Sequence, residues 1–258
     1  MSNRHYRERE KRFLVEGVRV VEEALSSTWA VETLIYCPSI LSNRRGEALP
    51  EVAKAKGIPV LEVEEALFKE LAGTQTPQGV LAEIRQRPTT LEDLVTGELG
   101  DLAAGKPALL VVVDGVQDPG NLGTIVRSAD AAGAGGVAIL KGAADIYNPK
   151  ALRATMGSIF HVPVTQGLSA AGMIAYLKMH KIKTVAGDPR AQKVLYECDL
   201  TIPSAIVAGS EAAGVGDDIL DLVDERVRIP MPGRAESLNV AISAAIILYE
   251  VLRQRGAR

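Results

Sequence analysis

Hydrophobic and polar positions divide the chain into two patterns. Up to about residue 85, short apolar runs alternate with amphipathic stretches: Phe13–Val15, Gly17–Leu25 at helical spacing, Val31–Tyr36, a helix ending near Gly57, Pro59–Val63, Glu64–Ala72 and Gly79–Ile84. This predicts a small α/β domain over residues 1–85. Residues 86–106 carry Pro88, paired threonines, Gly97, Gly100 and Gly105, and predict a linker with at most one short helix, near Leu91 to Leu102. From residue 107 the apolar runs become continuous. Ala108–Val113 has the composition of a strand covered on both faces of a parallel sheet. Gly136–Leu140, Val162–Thr165, Thr184–Gly187, Ala205–Ala208 and Arg226–Ile229 follow, separated by helical stretches such as Leu122–Ala132, Ala170–His180 and Leu238–Leu252. Residues 107–258 therefore read as an α/β domain with a parallel sheet.

At 47% hydrophobic and 24% charged residues, the composition excludes wholesale disorder and a disulfide-stapled miniprotein. The longest uncharged stretch, Ala154 to Leu177, is broken by glycines and a proline, so no membrane span is expected. A polar N-terminus and two isolated cysteines, Cys37 and Cys198, point to a reducing cytoplasm. The net charge of −3 gives no broad basic surface, with 13 basic against 17 acidic residues over 1–105 and 16 against 15 over 106–258. Both ends are nonetheless basic: Arg4, Arg7, Arg9, Lys11 and Arg12 at one, Arg253, Arg255 and Arg258 at the other.

Ligands of open α/β sheets collect beyond the carboxyl ends of the strands, which directs attention to three polar turns: 114–123, 209–216 and 230–239. None has the glycine spacing of a dinucleotide site, and none has the lysine of a P-loop. No serine-hydrolase elbow occurs, and His5, His161 and His180 are too scattered for a metal cluster, so no metal is expected. His161 reads as a hydrogen-bonded strand residue and Cys198 as inert. In isolation, Arg127 would pair with Asp130, Asn121 would serve a helix start, and Ser237 and Asn239 would cap the helix after them.

Four segments in order change that picture: Asp118-Pro-Gly-Asn-Leu-Gly-Thr-Ile-Val-Arg-Ser-Ala129, Arg153-Ala-Thr-Met-Gly157, Val207-Ala-Gly-Ser-Glu-Ala-Ala-Gly-Val-Gly216, and Ile229-Pro-Met-Pro-Gly-Arg-Ala-Glu-Ser-Leu-Asn-Val-Ala-Ile-Ser243. Together they resemble the signature motifs of the SpoU-type RNA 2′-O-methyltransferases, over residues 108 to 254. Arg12-Phe-Leu-Val-Glu-Gly17 resembles part of the ribosomal-protein-like substrate-binding domain found in ribosomal-RNA members. Thr155 stands where a serine is commoner, and Ala212-Ala213 where a glycine is usual.

The resemblance implies a C-terminal domain tied in a deep trefoil knot, S-adenosylmethionine as cofactor, and a homodimer. It implies methylation of a ribose 2′-hydroxyl in RNA, with 23S ribosomal RNA preferred; a transfer-RNA enzyme and a non-catalytic ribosome-assembly factor are the alternatives. Arg127, Asn121, Glu211, Ser237 and Asn239 are then the catalytic group. Glu211 would face Arg127 or the methionine portion of the cofactor. Gly209, Ser210, Gly214, Ile229, Met231 and Leu238 would hold the cofactor, and Lys150, Arg153, Arg9 and Arg12 would meet RNA. A guanidinium is a poor base, so Arg127 is expected to clamp phosphate and stabilise a developing alkoxide.

Overall fold

A computed structural model describes residues 4–96 and 107–256. Residues 97–106 of the expected linker, and Arg258, lie outside the described residues. The chain forms two compact units, Met1–Pro88 with Tyr147–Phe160, and Thr89–Ile146 with His161–Arg258.

In the first unit, strands β1 (Arg12–Glu16), β2 (Val31–Tyr36), β3 (Val60–Glu62) and β4 (Val80–Arg85) form a mixed sheet in the order β1-β4-β2-β3. β4 runs antiparallel to both β1 and β2, while β3 is parallel to β2. Helices α1 (Arg4–Glu10), α2 (Val18–Ser26), α3 (Leu49–Ala55) and α4 (Glu65–Leu71) complete the alternation. The basic N-terminal stretch is thus helical, with an Arg4–Glu8 pair at 2.7 Å one turn apart. Phe13, Val15, Leu34 and Ile84 are buried, and Phe68 packs against Leu81 and Cys37 in a separate cluster. Near one end of the sheet, Arg12 pairs with Glu83 (3.5 Å) and Glu32 (3.7 Å), and Arg85 with Glu32 (2.7 Å).

The second unit holds six parallel strands: β5 (Leu109–Val113), β6 (Gly136–Leu140), β7 (Val164–Leu168), β8 (Lys183–Gly187), β9 (Ser204–Ala208) and β10 (Glu225–Val227), in the order β10-β8-β9-β5-β6-β7. Every residue of β5, β6 and β9 is buried, as a sheet covered on both faces requires. Its helices include α5 (Leu91–Thr96), α6 (Pro119–Ala131), α8 (Ala170–Met179), α9 (Asp217–Leu220) and α10 (Val240–Gln254). Leu94 of α5 is buried in this core against Gly136; of the expected linker, residues 86–88 fall in the first unit and residues 89–96 in the second. Arg255 anchors the end of α10 by donating to the carbonyls of Pro107, Ala108, Leu200 and Ile202.

One segment departs from chain order. Helix α7 (Pro149–Thr155) and its flanks belong to the first unit, where α7 packs on β1. Tyr147 stacks on Phe13 (4.8 Å between ring centroids) and Phe160 meets Trp29 edge-on at 5.6 Å. Aromatic anchors far apart in sequence decide this placement, so local patterning assigns the segment to the domain that surrounds it.

Candidate active site

The three polar turns meet at the carboxyl ends of β5 and β9, where the strand order of a parallel sheet changes direction and opens a crevice. Asp118 caps α6 by accepting from the Asn121 backbone N–H at 2.9 Å, which leaves the Asn121 side chain free to face outward from the cap. Its Nδ2 donates to Glu211 Oε1 at 2.8 Å. Its Oδ1 accepts from Asn239 Nδ2 at 3.0 Å, and Asn239 Oδ1 caps α10 by accepting from the N–H groups of Ala241 and Ile242. Glu211 also accepts from the N–H groups of Gln117 (3.1 Å) and Asp118 (3.2 Å). Burial works to raise the Glu211 pKa, but the bonds from Asn121 and from backbone N–H groups outweigh it and hold the carboxyl below its ordinary range. Glu211 is therefore an ionised hub that orients two amides.

The turn after β9 is a tight loop. Ser210 and Gly214 exchange backbone hydrogen bonds of 2.7 and 3.0 Å, Gly214 takes φ +73°, and the Ser210 hydroxyl accepts from the Ala213 N–H. A Cβ on Gly209 would lie 2.0 Å from the Val215 nitrogen, so only glycine fits there. Asp114 joins this loop to the end of β5 by accepting from the Gly216 N–H at 2.8 Å.

A cleft of about 540 Å³ opens beside the loop, lined by Gly209, Ser210, Glu211, Gly214, Ser237, Leu238 and Asn239 among others. It adjoins an apolar recess of about 80 Å³ lined by Val227, Ile229, Met231, Leu238 and Ile247. All six expected cofactor residues thus line one or other cavity. The combined shape, apolar at one end and polar at the other, suits a nucleoside carrying a charged tail. The segment Gly187–Pro189 lines both cavities and was missed from sequence; its signal was its place after an apolar parallel strand.

Arg127 stands apart from this cluster. It is exposed on α6, six residues beyond Asn121 and so roughly 9 Å along the helix axis, and its side chain makes no hydrogen bond or ion pair with the described residues. Glu211 bonds Asn121, not Arg127. Asp130 is taken by His161 Nδ1 at 3.1 Å, from a turn before β7 and not from within a strand. Asn239 alone of the Ser237/Asn239 pair caps α10; Ser237 is an exposed part of the cleft wall. Cys198 is buried, which pushes its thiol up to about 11. Lys150, Arg153, Arg9 and Arg12 all fall in the first unit, although the first two lie in the motif-bearing half of the chain. Arg9 pairs with Glu10 and lies over the Tyr6 ring, and Arg12 belongs to the charged lattice on the sheet.

Residues 108–249 match the SpoU rRNA Methylase family, and residues 1–82 match the MRM3-like substrate binding domain. The chain belongs to the SpoU rRNA methylase family. Among its relatives is the 23S rRNA (uridine(2479)-2′-O)-methyltransferase of Streptomyces viridochromogenes, 31% identical over 260 residues, covering 99% of this chain and 87% of that one. The 23S rRNA (guanosine(2553)-2′-O)-methyltransferase RlmP of Bacillus subtilis is 34% identical over 239 residues, covering 93% and 88%. Among solved structures, the SpoU methyltransferase AviRb from Streptomyces viridochromogenes, in complex with the cofactor AdoMet, superposes with a TM-score of 0.85 at 31% identity, covering 99% of this chain and 95% of that one. In this SpoU methylase the family match spans β5 to α10 and so contains the whole cleft and the Glu211 cluster.

Proposed function

We propose that this SpoU methylase transfers a methyl group from S-adenosylmethionine to a ribose 2′-hydroxyl of 23S ribosomal RNA, as a cytoplasmic homodimer whose first unit grips the RNA. The observation that carries this reading is the Glu211–Asn121–Asn239 chain of hydrogen bonds at the mouth of the two-part cleft. The names of relatives that modify 23S rRNA support the substrate, and they modify different nucleotides at similar identity.

Bound S-adenosylmethionine supplies a methyl group already activated on a sulfonium, so the protein has to position reactants and manage a weakly acidic hydroxyl. Gly209, Ser210 and Gly214 bind the polar tail, and Ile229, Met231 and Leu238 enclose the base. Asn121 and Asn239, locked by Glu211, orient the ribose; Ser237 completes that wall. Arg127 holds an RNA phosphate and stabilises the alkoxide as the hydroxyl proton passes to water.

Ile242, Ile246 and Tyr249 recur at helical spacing on α10, and Ile242 and Tyr249 are 53% and 55% exposed. An apolar stripe of this kind supports a subunit interface along α10. The chain's return from edge strand β10 to α10, which packs on α6, β8 and β9, supports the knotted path. None of the described helices is long and apolar enough to cross a membrane.

The test is methyl transfer to unmodified 23S RNA and to transfer RNA, with the product mapped by resistance of the 2′-O-methylated linkage to alkali. Methylated ribose in 23S RNA is expected, with at least a hundredfold loss for Arg127→Ala. Base methylation, or transfer RNA as the sole acceptor, would overturn the assignment.

A further inference from the structure

The cleft and the apolar recess share a wall, and among the described residues the only ionisable side chain lining both is Asp188, just beyond the end of β8. Asp188 is 7% exposed, an unusual position for a carboxylate unless something engages it. Its Oδ1 accepts from the Arg190 backbone N–H (2.9 Å) and Nε (3.1 Å). No hydrogen bond from the described residues reaches Oδ2. The backbone is fixed on both sides, with the Asp188 N–H donating to the Val227 carbonyl and its own carbonyl accepting from Ala191. The carboxylate therefore cannot swing away to water without breaking the Arg190 bonds.

An adenosyl donor lying across the two cavities has its base in the apolar recess and its charged tail by the glycine loop. The ribose that joins them must sit at the shared wall. Ribose presents two adjacent hydroxyl donors, and a fixed carboxylate with a spare oxygen is the acceptor that matches them; open α/β sheets use an acidic residue near a strand end against the ribose of other nucleotides.

We propose that Asp188 binds the ribose hydroxyls of the methyl donor through Oδ2, with Arg190 as a positioning residue that holds the carboxylate through Oδ1. This rests on the proposed reading of the cleft as an adenosyl-donor site. It makes Asp188 a determinant of cofactor specificity, reading the sugar and not the sulfonium charge.

The experiment is calorimetric titration of the wild-type protein, Asp188→Ala and Asp188→Asn with S-adenosylhomocysteine, which carries no sulfonium charge, and with its 2′-deoxy and 3′-deoxy analogues. Wild-type affinity should fall by about 10- to 100-fold on removing the engaged hydroxyl, the scale of a charged hydrogen bond. Asp188→Ala should lose a similar factor on the parent compound and show no further loss on the deoxy analogue. Asp188→Asn, which preserves shape, should fall between, and unchanged thermal midpoints of the free variants establish that folding is intact. Equal binding of the parent by wild type and Asp188→Ala, or a deoxy penalty undiminished in the variants, overturns the role of Asp188 alone. Failure of the wild type to bind S-adenosylhomocysteine overturns the cleft assignment as well.

Discussion

Strand β1, Arg12–Glu16, alternates half-buried and buried positions, whereas β5, Leu109–Val113, is buried at every residue. The first belongs to a mixed sheet that carries Arg12, Glu32, Glu83 and Arg85 as a charged lattice. The second belongs to a parallel sheet with no polar side chain inside β5 or β6. Alternation leaves a surface that can display charge, while continuous burial leaves chemistry nowhere to go except the strand ends. The candidate RNA-binding residues accordingly lie on the first unit, and the cleft lies at the carboxyl ends of the second sheet.

Substitution in the two sheets should break this symmetry most sharply. Ile139→Ala, in the fully buried β6, should cost about 2–5 kcal/mol, while Leu61→Ala on edge strand β3, 52% exposed, should stay within about 0.5 kcal/mol in urea unfolding. Equal costs would mean that exposure does not separate the sheets. At the strand ends, Gly209→Ala forces a Cβ into the Val215 backbone and should weaken S-adenosylmethionine binding by about tenfold or more, since overpacking of this sort costs roughly 1–3 kcal/mol. Unchanged calorimetric affinity would remove the loop from the cofactor site.

A third prediction concerns acid. Glu225 is held down to about 2: its burial acts upward, but hydrogen bonds from Cys198, Lys193 and Lys183 and the Lys183 charge outweigh it. Because its folded pKa lies below its unfolded value near 4.3, its stabilisation is complete above that value and is lost as pH falls toward 2. Glu225→Gln should abolish that part of the acid dependence, on the order of 2 kcal/mol between pH 5 and pH 2. An unaltered stability profile over that interval would show that the lysine cluster carries no linkage. The smallest effects belong to the first unit. Arg9→Ala, Lys150→Ala and Arg12→Ala should each reduce the salt slope of RNA binding by about one and leave cofactor affinity alone. Loss of cofactor binding in these variants would refute the division of labour.

Most strand positions were legible from apolar runs; β2 was read with its observed ends, and β5, β8 and β9 to within a residue. Helix α1 escaped because its charged residues carry no apolar period, and α7 because it is one short turn-rich stretch in a glycine-containing segment. The Glu211–Asn121 bond joins residues 90 positions apart, and Asp188 had no motif to mark it. Both were invisible to local patterning for the same reason: hydrogen-bond partners across strand ends are set by sheet order.

By itself, the amino-acid sequence determined the two α/β patterns, the buried character of the second sheet, and the motif set that identifies the family, because burial periodicity and turn chemistry are local properties. Tertiary structure alone decided that residues 147–160 join the first unit, that the Asn121 side chain meets Glu211 and Asn239, and that Asp188 stands at the wall between two cavities. Those outcomes depend on which distant surfaces close against one another, and that choice is made by the summed burial of side chains no window of sequence contains.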